Sequence, residues 1–319
     1  HAIYARAVIV AAGGLGRVFE PSTNALICTG DGMGLAYRAG APLMDMEMVQ
    51  YHPTTLRGSG VLITEGARGE GAHLLNSHGE RFMEKYAPNM MELASRDVVS
   101  RSEQTEINEG RGLDGAVLLD CRHLGERVIR ERLSQILEIA RDFANIDITS
   151  EPIPITPGMH YQMGGIKTDV NGQTGIPGLY AAGETACVSV HGGNRLGANS
   201  LLDTLVFGRR SGEHASDAVK LRNQPSTTGD ATGGDRERIQ QLLDHDSMGD
   251  MFGKLRLEMG KTMATRLAVF RDQWGMEAAL EKIGTLKKRF ESVYVPDKGK
   301  IFNTNLIFTL ELGFMLDCA

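Results

Sequence analysis

The segment from His191 to Asp203 carries the densest set of chemically active residue types in the chain. It reads HGGNRLGANSLLD and begins seven residues after a strand-like run, GLYAAGE, at residues 178–184. At a strand-to-helix connection of this kind, backbone N–H groups and one fixed cation, Arg195, can face an anion. The segment therefore predicts a site for an anionic ligand.

Four further loops carry ionisable or hydroxyl side chains beside glycine or proline. They contain His52 before Pro53, Thr64 with Glu65 and Arg68 in ITEGARGEG, Arg96 in SRDVVSR, and His160 in PGMHYQMGG. Each has a structural explanation when taken alone, such as a helix start with an i,i+4 charge pair for SRDVVSR. Together they lie at both junctions of an interrupted domain, where a cleft is expected. A cationic cleft of this kind fits a small dicarboxylate.

The elements that must position these residues begin with a short apolar run at residues 7–12, followed by Gly13, Gly14 and Gly16. This pattern predicts a buried parallel strand leading into a glycine turn. Residues 29–40 predict a glycine-rich turn that opens a helix, with Gly40 as its stop. No acidic residue ends a second strand about 20 residues on, as a nucleotide-binding unit would require. We therefore expect the first strand to be a later strand of a dinucleotide-type sheet.

The changes in residue pattern predict an α/β chain of three domains. Residues 1–46 and 164–222 form one domain, which is interrupted by a second, α+β domain at residues 47–163 with an amphipathic helix over residues 123–144. A polar Gly/Ser/Thr linker covers residues 223–235. A helical domain follows at residues 236–319, with helices expected at 236–246, 252–269, 276–293 and 303–316.

Composition narrows the classes of partner. The formal net charge is −6, with 41% hydrophobic and 23% charged residues, so we expect a globular protein without a nucleic-acid partner. No apolar run approaches the roughly 18 residues of a membrane span. The four cysteines, Cys28, Cys121, Cys187 and Cys318, form no C-x-x-C pair, so we predict no iron–sulfur cluster, no metal site and reduced thiols.

At these motifs the chain resembles the flavoprotein subunits of the succinate dehydrogenase and fumarate reductase family. The matching segments are residues 8–16, 28–40, 45–54, 60–83, 86–88, 95–102, 109–112, 151–165 and 178–208. The helical region is similar more loosely, mainly through residues 302–304 and 310–312. The resemblance implies a partial FAD-binding Rossmann-like domain, an inserted capping domain and a C-terminal helical domain.

The resemblance also implies a division of roles among the site residues. It implies that succinate is oxidised to fumarate by hydride transfer to FAD, with a proton transferred through an arginine. The implied catalytic residues are Arg96, which exchanges a proton with the substrate carbon, and Glu65 and Arg68, which relay it to water. The implied substrate carboxylate ligands are His52, Thr64, His160 and Arg195. The implied FAD-binding residues are Gly13, Gly14, Asp31, Glu184, Ser200 and Leu201.

Departures from the family pattern affect what the chain is expected to do alone. Gly193 stands where the family motif usually has alanine. The family's first βαβ unit, with its phosphate loop and the histidine that attaches the flavin covalently, lies outside the chain, and so does the extreme C-terminal segment. We therefore expect an internal fragment with little activity in isolation.

The resemblance further implies partners and a location. Electrons would leave through an iron–sulfur subunit held by membrane-anchor subunits. The chain would lie on the cytoplasmic face of the inner membrane, or on the matrix side in a mitochondrion, attached peripherally through those partners.

Three alternatives to succinate oxidation stay open from the sequence. The physiological direction could be fumarate reduction, or the enzyme could be an L-aspartate oxidase, which shares the cleft. Thr64 and the run GANS at residues 197–200 favour a dicarboxylate enzyme. The third alternative is a folded module without catalytic activity.

Overall fold

The computed structural model describes residues 2–223, 230–245 and 248–319. The strands are β1 (Val8–Val10), β2 (Leu43–Met44), β3 (Val49–Leu56), β4 (His73–Leu75), β5 (Val117–Asp120), β6 (Ile153–Gln162), β7 (Gly165–Lys167), β8 (Leu179–Ala181) and β9 (Ala186–Cys187). The helices are α1 (Asp31–Arg38), α2 (Gly66–Gly69), α3 (Met83–Tyr86), α4 (Arg96–Asn108), α5 (Glu126–Arg132), α6 (Ser134–Ala144), α7 (Asn199–Lys220), α8 (Gly233–Asp244), α9 (Phe252–Arg266), α10 (Gln273–Phe290) and α11 (Thr304–Cys318). The result is a mixed α/β protein whose C-terminal part is helical, as the sequence predicts.

The part of the chain between β3 and β6 is built on an antiparallel sheet in the order β3-β6-β5-β4. Apolar side chains of these strands and of α4, α5 and α6 form a buried core that includes Leu74, Val99, Leu119, Ile136 and Ile155. The pairing of β3 with β6 is irregular at two places, between residues 50 and 51 and between residues 52 and 55. These irregularities lie at His52, so they orient one of the predicted substrate ligands.

The remaining strands form two small sheets. Strand β1 pairs in parallel with β8, and a second sheet has the order β2-β7-β9. The prediction that the first strand is buried is wrong for the described chain, because Val8 is 50% exposed and Ile9 is 41% exposed. Among the described residues β1 is hydrogen-bonded only to β8, so its other edge is unpaired.

The C-terminal helices share a core with the beginning of the chain. Helix α11 packs on α1 and α9, and the core they build contains Met33, Ala36, Met259, Leu312 and Met315. The prediction of helices in this region is confirmed to within a few residues at their ends. Among the described residues, no helix is both long and apolar enough to cross a bilayer.

Two boundaries differ from the sequence prediction. The single helix expected over residues 123–144 is two helices, α5 and α6, because Leu133 has φ −118° and ψ 21° instead of helical angles. The bend leaves Ile129, Leu133 and Ile136 all in the same core. Helix α8 begins at Gly233, so the predicted linker is shorter at its C-terminal end, and residues 224–229 lie outside the described residues.

Gly164, between β6 and β7, is required by close backbone packing. A Cβ atom there would overlap the main-chain carbonyl of Asp45, and a backbone carbonyl cannot rotate away as a flexible side chain can. We expect Gly164→Ala to destabilise the fold by about 1–3 kcal/mol, the usual cost of overpacking. The matched control is Gly284→Ala in α10, where a Cβ meets no atom within 4 Å. The control should raise stability by about 0.5–1 kcal/mol. Urea denaturation of both variants measures the effects, and equal stability in the two would contradict this account.

Candidate functional site

The centre of the site is the carboxylate of Glu65, which binds two guanidinium groups. Arg96 Nε donates to Glu65 Oε1 at 2.5 Å, and Arg68 Nη2 donates to the same oxygen at 3.4 Å. Arg96 is the first residue of α4, and Glu65 immediately precedes α2, which contains Arg68. The two arginines hold Glu65 ionised, since the hydrogen bond from Arg96 is the largest cause of the lowered pKa of Glu65. The sequence prediction that these three residues act together fits this geometry.

A second set of polar side chains fixes Arg96 relative to Arg195. Gln50 accepts a hydrogen bond from Arg96 Nη1 at 3.1 Å and donates to the main-chain oxygen of Arg195 at 2.6 Å. Gln50 also donates to Asn194 Oδ1 at 2.8 Å, and Asn194 donates in turn to Asp97 at 2.9 Å. The sequence analysis missed Gln50 and Asn194 as positioning residues. Their adjacency to the HP and NRLG motifs is the signal that could have found them.

Arg195 lies against an aromatic face. Its guanidinium carbon is 4.3 Å from the centre of the Tyr161 ring, a cation–π contact that stabilises a partly desolvated cation. The residue is 5% exposed, and its Nε atom has no hydrogen-bond partner among the described residues. Burial and the charge of Arg96 lower the pKa of Arg195 from its usual value. Arg195 is thus a buried cation with unused donor capacity, as an anion ligand requires.

The two predicted histidine ligands face each other in the same region. The ring centres of His52 and His160 are 5.0 Å apart, and His160 Nδ1 lies 2.8 Å from Thr23 Oγ1. Burial, then the charges of Arg96 and Arg195, lower the pKa of His160 to about 4. Burial is also the main reason that the pKa of His52 lies well below its usual range. Both imidazoles are therefore neutral at pH 7, and each can donate one hydrogen bond without adding charge.

A cavity of about 240 Å³ is lined by Glu65, Arg68, Arg96 and Arg195, together with Asn194 and residues 93–95, 196 and 197. His52, His160 and Thr64 are not among its lining residues. Three arginines and one carboxylate give the cavity an excess of positive charge, so it suits a small anion. Thr64 is exposed beside the cavity, and its hydroxyl accepts from the Gly66 N–H at 3.4 Å.

The predicted cofactor residues divide into two groups. In the first, Gly14 packs directly on the carboxylate of Glu184, where a Cβ atom at residue 14 would overlap Glu184 Oε1. Gly13 has φ +76° and open space where a Cβ would be. Glu184 also accepts from the Gln162 N–H at 3.0 Å, and burial raises its pKa. Gly13 therefore leaves open space, whereas Gly14 is buried against the Glu184 carboxyl group.

The second group lies at helix starts. Ser200 Oγ is 3.5 Å from Arg195 Nη1, and Leu201 is 68% exposed on the first turn of α7. Asp31 begins α1 and accepts from Thr29 Oγ1 at 2.7 Å. No hydrogen bond or ion pair among the described residues joins Asp31 to Glu184 or Ser200. An open glycine edge, a helix start and exposed apolar side chains on α7 fit a flat aromatic cofactor next to Arg195.

Two protein families match this chain. Residues 1–201 match the family described as "FAD binding domain", and residues 256–319 match "Fumarate reductase flavoprotein C-term". The succinate dehydrogenase flavoprotein subunit of Rickettsia bellii is 44% identical over all of this chain and 56% of its own length. The fumarate reductase flavoprotein subunit of Escherichia coli is 42% identical over 99% of this chain and 55% of its own length.

Solved structures agree with these matches. A variant of E. coli quinol fumarate reductase superposes with a TM-score of 0.91 at 41% identity, covering 98% of this chain and 56% of that one. A quinol-fumarate reductase with menaquinol molecules gives a TM-score of 0.93 at 43% identity, covering 98% and 57%. The chain thus spans a little over half the length of the relatives it matches.

The fold and the matched families place the chain in the class of FAD-binding flavoproteins. More particularly, the chain belongs to the family of succinate dehydrogenase and fumarate reductase flavoprotein subunits.

The neutral state of His160 makes a prediction about stability and pH. The unfolded imidazole has an ordinary pKa of about 6.5, so below that pH the unfolded chain binds a proton that folded His160, with a pKa of about 4, does not. The folded state therefore loses stability as pH falls from about 6.5 to 4, by up to about 1.4 kcal/mol per pH unit.

We expect His160→Gln to lose less stability than the parent over this pH range, since glutamine does not titrate. The measurement is the free energy of unfolding in urea at several pH values between 7 and 4.5. Parallel curves for the parent and the variant would contradict the assignment of His160 as a neutral, desolvated imidazole.

Proposed function

We propose that this chain supplies the dicarboxylate site and the proton-transfer residues of an enzyme that oxidises succinate to fumarate. The observation that supports this best is the Glu65 carboxylate held between Arg96 and Arg68, with Arg195 on the same cavity. Cations that can bind a dianion therefore lie in the same small space as a carboxylate that can accept a proton.

Binding of the substrate carboxylates is the role proposed for Arg195, His160, His52 and Thr64. Arg195 is the buried cation, and its guanidinium can bind a carboxylate in a planar, two-point geometry. The two neutral histidines donate hydrogen bonds without opposing Arg195 electrostatically. Thr64 lies on the exposed rim, where its hydroxyl can reach an anion that projects out of the cavity.

Arg96 is proposed to exchange the proton with the substrate carbon. An arginine keeps its proton at neutral pH, so protonation of fumarate uses the resting form, whereas succinate oxidation needs a transiently neutral Arg96. The 2.5 Å hydrogen bond to Glu65 gives that proton a place to go, and Arg68 continues the path from Glu65. We call Arg96, Glu65 and Arg68 the proton relay.

FAD is the cofactor of the family, and Gly13, Gly14, Asp31, Glu184, Ser200 and Leu201 are proposed to hold it. When bound, FAD supplies the acceptor for the hydride that leaves the other substrate carbon. Arg195 contacts Ser200, so the loop that binds the substrate also begins the helix proposed to contact the cofactor.

The proposed partners follow from the structural relatives. Since they are quinol-fumarate reductases, we propose that electrons pass to an iron–sulfur subunit and that membrane-anchor subunits hold the assembly. The chain would then be peripheral to the cytoplasmic face of the inner membrane, or to the matrix side in a mitochondrion.

Fumarate reduction is the second candidate function, and the comparisons favour it equally because relatives of both names match at similar identity. L-aspartate oxidase is less well supported, since the cavity is lined by three arginines and one carboxylate, and that carboxylate is already bound by two of them. An amino group on the substrate would find no free carboxylate among these lining residues.

The substrate assignment predicts how the holoenzyme distinguishes dicarboxylates. We expect turnover with succinate or fumarate, and at least about a hundredfold lower kcat/KM for aspartate, because its ammonium group would be desolvated without a counter-ion. Steady-state assays with the three substrates test this. Comparable kcat/KM for aspartate and succinate would instead support the oxidase.

Arg96→Lys tests the catalytic assignment. Lysine keeps the positive charge but loses the guanidinium fork that joins Glu65 and Gln50 at once. We expect substrate binding within a few-fold of the parent and turnover reduced by about 10²–10⁴. Calorimetric binding and steady-state assays of the holoenzyme give the two quantities.

The matched control is Arg101→Lys, on the exposed side of the same helix, where the parent residue pairs with Asp97 at 2.7 Å. This variant should keep normal turnover. If Arg96→Lys also kept normal turnover, Arg96 would not be the proton donor.

A further inference from the structure

Glu103 is a fully buried carboxyl group on α4, the helix that begins with Arg96. It lies seven residues after Arg96 on α4, and residues at this spacing share one face of a helix with Ser100 between them. The side chain is 0% exposed, and neither carboxylate oxygen has a hydrogen-bond partner among the described residues. An apolar side chain could fill this position without the desolvation cost of a carboxyl group that has no hydrogen-bond partner.

Arg68 is the charged group that interacts electrostatically with Glu103. Arg68 is 4% exposed; its Nη1 donates to the Glu92 main-chain oxygen at 2.5 Å, its Nη2 donates to Glu65, and its Nε has no partner among the described residues. The charged groups that face Arg68 are Glu103, Glu65, Arg96 and Glu92, and Arg68 is the charge that acts on Glu103. Arg68 therefore interacts electrostatically with a partly exposed carboxylate, Glu65, and with the fully buried carboxyl group of Glu103.

The two carboxyl groups differ in protonation because their surroundings differ. Glu65 is 45% exposed and receives hydrogen bonds from two arginines, which keep it ionised. Glu103 receives none, and an ionised carboxylate without donors in the interior is strongly unfavourable. Burial raises the pKa of Glu103 well above its ordinary range, against the opposing effect of Arg68. Glu103 is thus a neutral acid in the resting protein.

We propose that Glu103 is a positioning residue that controls the proton relay through the charge of Arg68. While Glu103 is neutral, it adds no negative charge that would stabilise the cationic form of Arg68. The guanidinium can then release one N–H proton to water as Glu65 delivers another proton to it. The guanidinium carries the same charge before and after this exchange. Once Glu103 ionises, its negative charge stabilises the cation and makes that release unfavourable. This inference rests on the proposed function and extends it.

The first test is the pH dependence of succinate oxidation by the holoenzyme that contains this chain. Turnover should rise with pH, because proton removal becomes easier, and then fall about tenfold per pH unit where Glu103 ionises. In Glu103→Gln and Glu103→Met the alkaline fall should be absent, because neither residue ionises. KM should change less than about twofold, since Glu103 does not line the cavity.

Glu84→Gln, the same chemical change at an exposed position, is the control and should keep the full profile of the parent. An unchanged alkaline fall in both Glu103 variants would overturn the proposal. Two variants are used because glutamine keeps the shape of the side chain, whereas methionine removes its polarity. If one of them does not fold, the other still allows the comparison.

The second test does not depend on activity. The infrared difference spectrum between the parent holoenzyme and Glu103→Gln at pH 7 should contain the C=O stretch of a buried protonated carboxylic acid; the difference separates Glu103 from Glu184, whose pKa is also raised by burial. This band should persist in Glu84→Gln and vanish in the parent over the pH range where turnover falls. Absence of the band from the parent would overturn the role of Glu103 and leave the proposed function intact. A holoenzyme that shows the band but turns over neither succinate nor fumarate would instead refute the proposed function.

Discussion

The structure depends on the placement of three arginines, Arg68, Arg96 and Arg195, around one small cavity. Guanidinium groups that share one small cavity repel each other by several kcal/mol if they are shielded from water. The protein must therefore supply contacts that compensate for this repulsion. Glu65 binds two of the guanidinium groups and the Tyr161 ring covers the third. The remaining excess of positive charge makes the cavity suited to a small anion.

This constraint accounts for the neighbouring residues and elements. Helix α4 packs on β3 and β6, close to the strand irregularity at His52, and Gly164 packs tightly on the Asp45 carbonyl just after β6. Burial keeps the two histidines neutral by lowering their pKa values, and the positive charge of Arg96 adds to this effect. Neutral imidazoles donate hydrogen bonds to a substrate at no further electrostatic cost, so charge and geometry favour the same ligand.

Residue types and motifs predicted the grouping of four residues around the cavity better than they predicted the elements that support it. Arg96, Glu65, Arg68 and Arg195 could be grouped from the sequence because each lies in a short segment of unusual composition. The bend at Leu133 and the exposure of β1 could not be predicted, since each depends on which layers pack in three dimensions. Gln50 and Glu103 were missed for a related reason. An amide in a strand and a glutamate in a polar helix have no local signal, and their importance comes from burial next to an arginine.

The central claim is that Glu65 accepts the proton that Arg96 removes from the substrate. The most direct measurement is the rate of fumarate formation in a single turnover of the holoenzyme with Glu65→Gln, alongside the affinity for succinate. Glutamine can still accept a hydrogen bond from Arg96 but cannot accept the proton, so the account predicts near-normal affinity and a rate reduced by about 10²–10⁴. A single-turnover rate equal to that of the parent would contradict it.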